Sequence, residues 1–375
     1  MVEISLHGMK VALVHDYIKE YGGAERVLET LHELFPGAPV FTSVYCPSYL
    51  GPHKNRFKDW DIRPSWLQHI PFKEKLISPL RLIAPIVFST MDFSNFDLVI
   101  VSATGAYASN MIRKGTAVHV CYCHTPPRYL YGYATARNWK KNPFIRFIGE
   151  RVNTFLRTVD KQASEHVDHF IANSEEVASR IKKFYKKTAV VVYPPVVVPP
   201  TNITGKKEDF FITGGRLASA KHVDLAIQAC SSLNIPLKVF GKSFAGYGEA
   251  LKKIAGPTIT FLGEISDEEK WKLLSQAQAF IFPSEDEDFG ILPVESMAAG
   301  TPVLAYNSGG VKETVVEGKT GMFFDELSKE AVIQTVEAFM KKNNDWQHAC
   351  QLQAKKFTRE IFLDGIKKNV LHWIK

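Results

Sequence analysis

The sequence predicts two doubly wound α/β domains joined by a proline-rich linker. Three observations carry this: short continuous apolar runs alternate with helical periodicities, the alternation restarts after residue 207, and 375 residues suffice for two hydrophobic cores. A strand buried on both faces of a parallel sheet reads as an unbroken apolar run, whereas a strand with one wet face alternates. With 45% hydrophobic and 23% charged residues, the composition excludes disordered, collagen-like and disulfide-scaffold classes.

The first run, residues 10–15 (KVALVH), leads towards Gly22-Gly23, and residues 24–35 then place Val27, Leu28, Leu31 and Leu34 on one helical face. Further strands are expected at 40–44, 97–102, 117–123, 169–173 and 188–193, with helices that include 142–165 and 174–184. Residues 193–207 (YPPVVVPPTNITGKK) hold four prolines and no sustained period, which marks a linker. Beyond it, strands are expected at 210–213, 237–240, 258–262, 279–282, 302–305 and 321–324. Helices fall at 222–231, 266–275, 293–299 and 329–341, and a last amphipathic helix at 358–373. The domains are therefore 1–192 and 208–356, followed by a C-terminal segment 357–375. Two such domains facing each other bind ligands in the cleft at the C-terminal ends of their strands.

A net charge of +7 favours an anionic partner without choosing among a phosphate ligand, nucleic acid and an acidic membrane surface. Five cysteines, an odd number in a long chain, argue against a disulfide framework and for a reducing compartment. Cys121, Cys123 and His124 lie close together and admit a metal reading. No second Cys/His pair stands at zinc-finger spacing, however, and thiols two apart on a strand share a face, so buried structural thiols are expected and no metal. Residues 1–10 lack a signal-peptide core and no apolar stretch spans a bilayer, so the chain is expected in the cytoplasm, free to lie on a membrane.

Three strand-to-helix junctions carry chemistry. In residues 284–300 (SEDEDFGILPVESMAAG), seven residues separate Glu287 from Glu295, and Pro293 suits a first helical turn. That places Glu295 in the first turn and Glu287 in the loop before it. The amides of Gly290, Ile291 and Leu292 then face outward as an anion site flanked by carboxylates. A nucleotide-sugar, with phosphates in the middle and hydroxyls at both ends, is that kind of ligand. Residues 214–221 (GGRLASAK) set Arg216 and Lys221 between a strand and a helix, a guanidinium and an ammonium suited to clamp a diphosphate. In residues 21–26 (YGGAER), Gly22 and Gly23 allow close backbone approach to phosphate, although the stretch does not complete G-x-G-x-x-G. Each motif has a plain alternative: a helix-start carboxylate for Glu295, surface charges for Arg216 and Lys221, a turn for the glycines. Their joint order along the chain favours a site.

With Gly-Arg-Leu-x-x-x-Lys at 215–221, Glu287-x7-Glu295 around Asp-Phe-Gly-Ile at 288–291, Ala-Gly-Thr-Pro-Val at 299–303 and the later Gly309-Gly310, the chain resembles the retaining glycosyltransferases of family 4 (glycosyl transferase group 1) over essentially its whole length. The resemblance implies a GT-B architecture of two facing Rossmann-like domains, with the C-terminal helix returning to the N-terminal domain. It puts Arg216 and Lys221 on the donor diphosphate, Glu287 on hydroxyls of the donor sugar and Glu295 on those of the ribose. Gly290, Ile291 and Leu292 would lie near the sugar and phosphate, and Gly22-Gly23 against the phosphates from the other domain.

His124, in Cys-Tyr-Cys-His-Thr-Pro-Pro-Arg-Tyr, matches the family histidine that reaches the donor sugar; taken alone it reads as a structural histidine ending a buried strand. The block 91–128 resembles the mannosyltransferases that assemble surface polysaccharides. The activity this implies is a hexosyl transfer, with GDP-mannose the preferred donor and a lipid-linked saccharide or polysaccharide the acceptor. The resemblance implies front-face retention; the acidic cluster 285–288 invites a magnesium reading, but Arg216 and Lys221 already neutralise a diphosphate, so no metal and no cofactor is expected. A UDP-sugar donor, or a non-hydrolysing UDP-sugar epimerase on the same fold, is the alternative. One departure stands out: Gly-Lys-Ser-Phe at 241–244, where relatives often have a Gly-x-Gly-Pro turn.

The remaining positive charge gathers in residues 128–157, seven basic residues against the single acid Glu150, with aromatic residues interleaved. A solvated helix face over a core stripe is one reading. The other is a basic aromatic surface, carried by Arg137, Trp139, Lys140, Lys141 and Arg146, that sits on the inner face of a membrane. Trp60, Arg63, Trp66, Phe72, Lys73 and Lys75 extend it. No nucleic-acid module accompanies the charge, so nucleic acid is not an expected partner.

Overall fold

The computed structural model describes residues 8–133, 143–197, 206–342 and 344–374. The chain divides into two units, each built on one parallel sheet. The described parts of Met1–Gly132, Asn142–Pro195 and Arg359–Lys375 belong to the first, and those of Val196–Thr358 to the second.

The first unit has seven strands: β1 (Val11–His15), β2 (Val40–Thr42), β3 (Ile62–Pro64), β4 (Leu98–Ala103), β5 (Val118–Cys123), β6 (His169–Ala172) and β7 (Ala189–Val191). They lie parallel in the order β3-β2-β1-β4-β5-β6-β7. Every residue of β1 and β4 is buried, because alternate side chains feed two separate cores. On one face Ala12, Val14, Val99, Val101 and Cys121 pack with Val177 and Ile181 of helix Glu175–Tyr185. On the other, Leu13, Leu98, Ile100, Val120 and Tyr122 meet Val27, Leu28 and Leu31 of helix Gly23–Leu34. Phe362, Ile366 and Val370 of the C-terminal helix Arg359–Trp373 complete that second core.

The second unit has six parallel strands: β8 (Phe211–Gly214), β9 (Leu237–Phe240), β10 (Ile259–Gly263), β11 (Phe280–Phe282), β12 (Val303–Tyr306) and β13 (Gly321–Phe324), in the order β10-β9-β8-β11-β12-β13. Ser266 and Ser328 cap helices Asp267–Gln276 and Lys329–Met340, each side chain accepting from an amide of the first turn.

In both sheets the strand order reverses beside the unit's first strand, between β1 and β4 and between β8 and β11. Loops leaving the C-terminal ends of those strands part there and open a crevice. Two local differences from the sequence reading stand out. β3 carries a half-buried Ile62 followed by exposed Arg63 and Pro64, and such a proline-bearing edge strand has no apolar signature. Helix Ile291–Ala298 starts two residues before Pro293, which moves Glu295 out of the first turn.

Candidate functional site

The second unit brings its two charged motifs together at the β8/β11 switch point. From β8 the chain runs through Gly214 and Gly215 to a short 3-10 turn, Ser219–Lys221, and then helix Val223–Leu233. From β11 it runs through Glu287 to Gly290, which caps helix Ile291–Ala298 with a φ of +90°. The Lys221 ammonium donates to Glu287, and Ser284 Oγ donates to the same carboxylate oxygen at 2.7 Å. Arg216 is exposed, its guanidinium 5.9 Å from the Phe244 ring centroid. The amides of Ile291 and Leu292 occupy first-turn positions, for which a helix supplies no internal acceptor.

Glycines make this closeness possible. A Cβ on Gly215, at φ +112°, would lie 2.7 Å from Leu292 Cδ1, so the β8 loop lies directly against the start of helix Ile291–Ala298. The turn at 241–244, where the sequence departs from its relatives, supports the same loop. Leu217 N–H donates to Lys242 at 2.9 Å and Phe244 N–H to Leu217 at 3.0 Å, while Lys242 itself reaches outward to Glu264 at 3.4 Å.

Glu295 stands apart from this group. It is 1% exposed, and Lys270 Nζ donates to its Oε1 at 2.9 Å while also reaching Asp267 at 3.0 Å. The carboxylate expected to face ribose hydroxyls is buried and accepts from the lysine of a neighbouring helix. Lys270, 25 residues upstream, carried no sequence signal as its partner.

The first unit places its polar groups at the β1/β4 switch point, and here the sequence reading missed most of them. Gly22 caps helix Gly23–Leu34, and its N–H donates to Glu25 Oε2 at 2.8 Å. Gly23 opens that helix. His15, at the end of β1, is fully buried. Its Nδ1 lies 3.1 Å from Ser102 Oγ, which lies 2.9 Å from His124 Nε2 at the end of β5. Burial, with His15 close by, pushes His124 down to about 3, so its imidazole is neutral at pH 7.

Asp16, also fully buried, accepts at Oδ2 from the Thr104 hydroxyl and from the amides of Thr104, Ala106 and Tyr107 at 3.1–3.3 Å. Its Oδ1 has no hydrogen-bond partner among the described residues. His15 and Asp16 close β1 while Ser102 lies 87 residues from His15 on β4, so no spacing announces their meeting.

Residues 21–198 match the family described as Glycosyltransferase Family 4, and residues 200–357 match Glycosyl transferases group 1. The chain belongs to glycosyltransferase family 4. It is 26% identical to the alpha-1,3/1,6-mannosyltransferase ALG2 of Candida glabrata over 67% of this chain and 68% of that one. To the ALG2 of Rhizomucor pusillus it is 22% identical over 82% and 78%. Among solved structures, the Anabaena protein HepE in complex with UDP and glucose superposes with a TM-score of 0.68 at 17% identity, covering 96% of this chain and 99% of that one. Sucrose-phosphate synthase of Thermosynechococcus elongatus gives 0.71 at 16% identity, covering 97% and 99%. These likenesses show that the glycosyltransferase has the GT-B fold.

Of the basic aromatic surface read from the sequence, Arg137, Trp139, Lys140 and Lys141 lie outside the described residues, as does the side chain of Arg146. Its proposed extension is split: Trp66 is exposed, whereas Trp60 stacks on His32 with centroids 3.9 Å apart. All five cysteines of the glycosyltransferase are free and buried, and burial pushes Cys230 and Cys350 up to about 12. Among the described residues, no helix is long and apolar enough to cross a membrane.

Proposed function

We propose that this glycosyltransferase moves mannose from GDP-mannose onto a lipid-linked saccharide or polysaccharide acceptor, with retention at the anomeric carbon. The observation that carries the reading is the meeting of Arg216, Lys221, Glu287 and the first-turn amides of helix Ile291–Ala298 at one switch point. Cleavage of the anomeric bond leaves negative charge on the departing diphosphate, and preorganised donors at that point lower the barrier. On this reading Lys221 exchanges Glu287 for the diphosphate when the donor enters, and Glu287 turns to hydroxyls of the sugar. Arg216 adds a bidentate contact. Two cationic side chains and a helix start neutralise the leaving group, which removes the usual task of a divalent ion. With no carboxylate evident as a covalent nucleophile, front-face displacement with the leaving phosphate as base fits the donor set.

The names of the ALG2 relatives favour mannose as the sugar. Hydrolysis and transfer assays over GDP- and UDP-sugars test this. GDP-mannose should be the best donor, with Arg216→Ala and Lys221→Ala folded and inactive. Full turnover by a folded double variant would sink the reading, and preference for a UDP-sugar would overturn the donor.

A cytoplasmic, peripheral position on the inner face of a membrane completes the proposal. Its support is the exposed apolar surface of the first unit: Trp66, Phe72, Ile86, Phe147 and Phe155 are each 50–69% exposed. Basic groups accompany two of them, Lys75 over Phe72 at 5.8 Å and Arg151 over Phe147 at 5.1 Å. Flotation with anionic vesicles should carry the protein upward at low salt and lose it at high salt; no flotation at low ionic strength would refute the membrane claim.

A further inference from the structure

The catalytic reading gives His124 a role but leaves Glu25, His15 and Ser102 unexplained, although they line up behind it, Ser102 within hydrogen-bond distance of both rings and Glu25 facing the far side of His15. The backbone of His124 is fixed on both sides. Its N–H donates to Ala103 at 2.9 Å, and its carbonyl accepts from Asn173 Nδ2 at 2.9 Å. What remains to be set is the ring, and in particular which nitrogen carries the proton.

The chain has a definite polarity. Glu25, 5% exposed, is a carboxylate and can only accept. Its Oε2 is engaged by the Gly22 amide, and its Oε1 is the carboxylate oxygen facing His15 Nε2, 3.6 Å away; that nitrogen has no hydrogen-bond partner among the described residues, which leaves the carboxylate as the group its proton points to. A neutral ring facing a carboxylate keeps its proton on Nε2, so His15 Nδ1 is an acceptor. The Ser102 hydroxyl then donates to His15 Nδ1, and its oxygen accepts from His124 Nε2–H. His124 is left with a bare Nδ1.

We propose that Glu25, His15 and Ser102 are positioning residues that hold His124 as its Nε2–H tautomer, so that Nδ1 is free to accept a hydrogen bond from a hydroxyl of the donor sugar. The last clause rests on the proposed function; the tautomer does not. Because a hydroxyl both donates and accepts, Ser102 transmits the sense of the Glu25 end to the His124 end. Reversing one end reverses the other.

Glu25→Gln provides that reversal with almost no change of shape. The amide oxygen keeps the bond from Gly22 N–H, and the amide nitrogen turns a donor towards His15 Nε2. His15 then carries its proton on Nδ1, Ser102 donates to His124 Nε2, and the His124 proton moves to Nδ1.

Long-range proton–nitrogen correlation spectra of the full-length, histidine-labelled protein distinguish bare from protonated ring nitrogens. Spectra of His124→Gln and His15→Gln assign the two rings. The wild type should show a bare Nδ1 on His124, Glu25→Gln a protonated one, and Ser102→Ala a mixture of both. In transfer assays Glu25→Gln and Ser102→Ala should lower kcat by about 10-fold or more with the donor KM little changed, and Ser102→Thr should recover both the tautomer and the rate. A protonated Nδ1 in the wild type, including one produced by a doubly protonated His15, overturns the proposal. So does an unchanged tautomer in Glu25→Gln, or an inverted tautomer with an unchanged kcat. Since the spectra need no substrate, a protein that transfers no sugar yet inverts as described upholds the relay and sinks the proposed function instead.

Discussion

The two units share the strand order that starts 3-2-1-4, and both gather polar residues where that order reverses, yet they hold charge in opposite ways. In the second unit the crevice groups are accessible: Arg216 is exposed, and the side chains of the Lys221–Glu287 pair are 29% and 16% exposed. In the first unit they are withdrawn: His15, Asp16 and Ser102 are fully buried and Glu25 nearly so. An accessible ion pair contributes little to folding, because water screens it and long side chains lose rotamer freedom in making it. A buried polar network contributes through the geometry it imposes and exacts a penalty when one member is lost. The second unit's groups are therefore available to a ligand, whereas in the first unit Asp16 ties down the loop 104–107 and His15 and Ser102 line up behind the His124 ring.

The sharpest way to break this contrast is to separate activity from stability. Lys221→Ala should lower kcat/KM at least about 100-fold, the scale of losing a preorganised donor at a developing charge. Its urea midpoint should stay close to wild type. A large loss of stability alongside activity would make the pair structural and erase the distinction between the units. The second unit also contains its own counterexample. Lys270→Met removes the cation paired with the Glu295 carboxylate, 1% exposed, and should cost about 3–5 kcal/mol in urea unfolding. Lys270→Met combined with Glu295→Met should recover much of that loss. If Glu295→Gln instead raises the donor KM without changing stability, the ribose contact expected from the sequence is restored to it.

Legibility in the sequence divides along the same line. Arg216, Lys221, Glu287 and the helix start near Pro293 are close enough along the chain to form motifs, and charge beside glycine is visible without a structure. Strands β1 and β4 were legible because burial on both faces leaves an unbroken apolar run. Ser102 was hidden inside such a run, where a lone hydroxyl reads as tolerated, and its neighbours His15 and His124 meet it only through parallel pairing in the sheet. Glu295 was legible only in part for a related reason: a carboxylate near a helix start has a local explanation, and the lysine paired with it comes from another helix. Edge strand β3 failed on its proline.

Gly241 is where support for the accessible crevice can be weakened without touching a charge. It sits at φ +122°, and a Cβ there would lie 1.7 Å from the Gly215 carbonyl oxygen. Gly241→Ala must therefore move the backbone next to Arg216 as well as strain its own, and should lower stability by about 1–3 kcal/mol by the strain alone. The donor KM should rise with it. A stability loss with an unchanged KM would show that the Arg216 loop holds its place without this turn.

The smallest expected effect sharpens the other side of the comparison, the first unit's tolerance of buried charge. Asp160 lies on helix Pro143–Glu165 and accepts from the Tyr131 hydroxyl at 2.8 Å. Burial raises it to about 6, against the lowering effect of hydrogen bonds from Tyr131 and Tyr185. With the folded acid titrating above the unfolded one, the folded state binds more protons between about pH 4 and pH 6, so this residue's contribution to stability falls as pH rises through that window. Asp160→Asn keeps the shape and removes the titration. Relative to wild type it should gain up to roughly 2 kcal/mol at pH 8 and little at pH 4 in urea unfolding, the gain developing between those limits. A gain independent of pH would assign the effect to packing, and a loss at pH 8 would mean that the ionised carboxylate is itself a member of the unit's polar network.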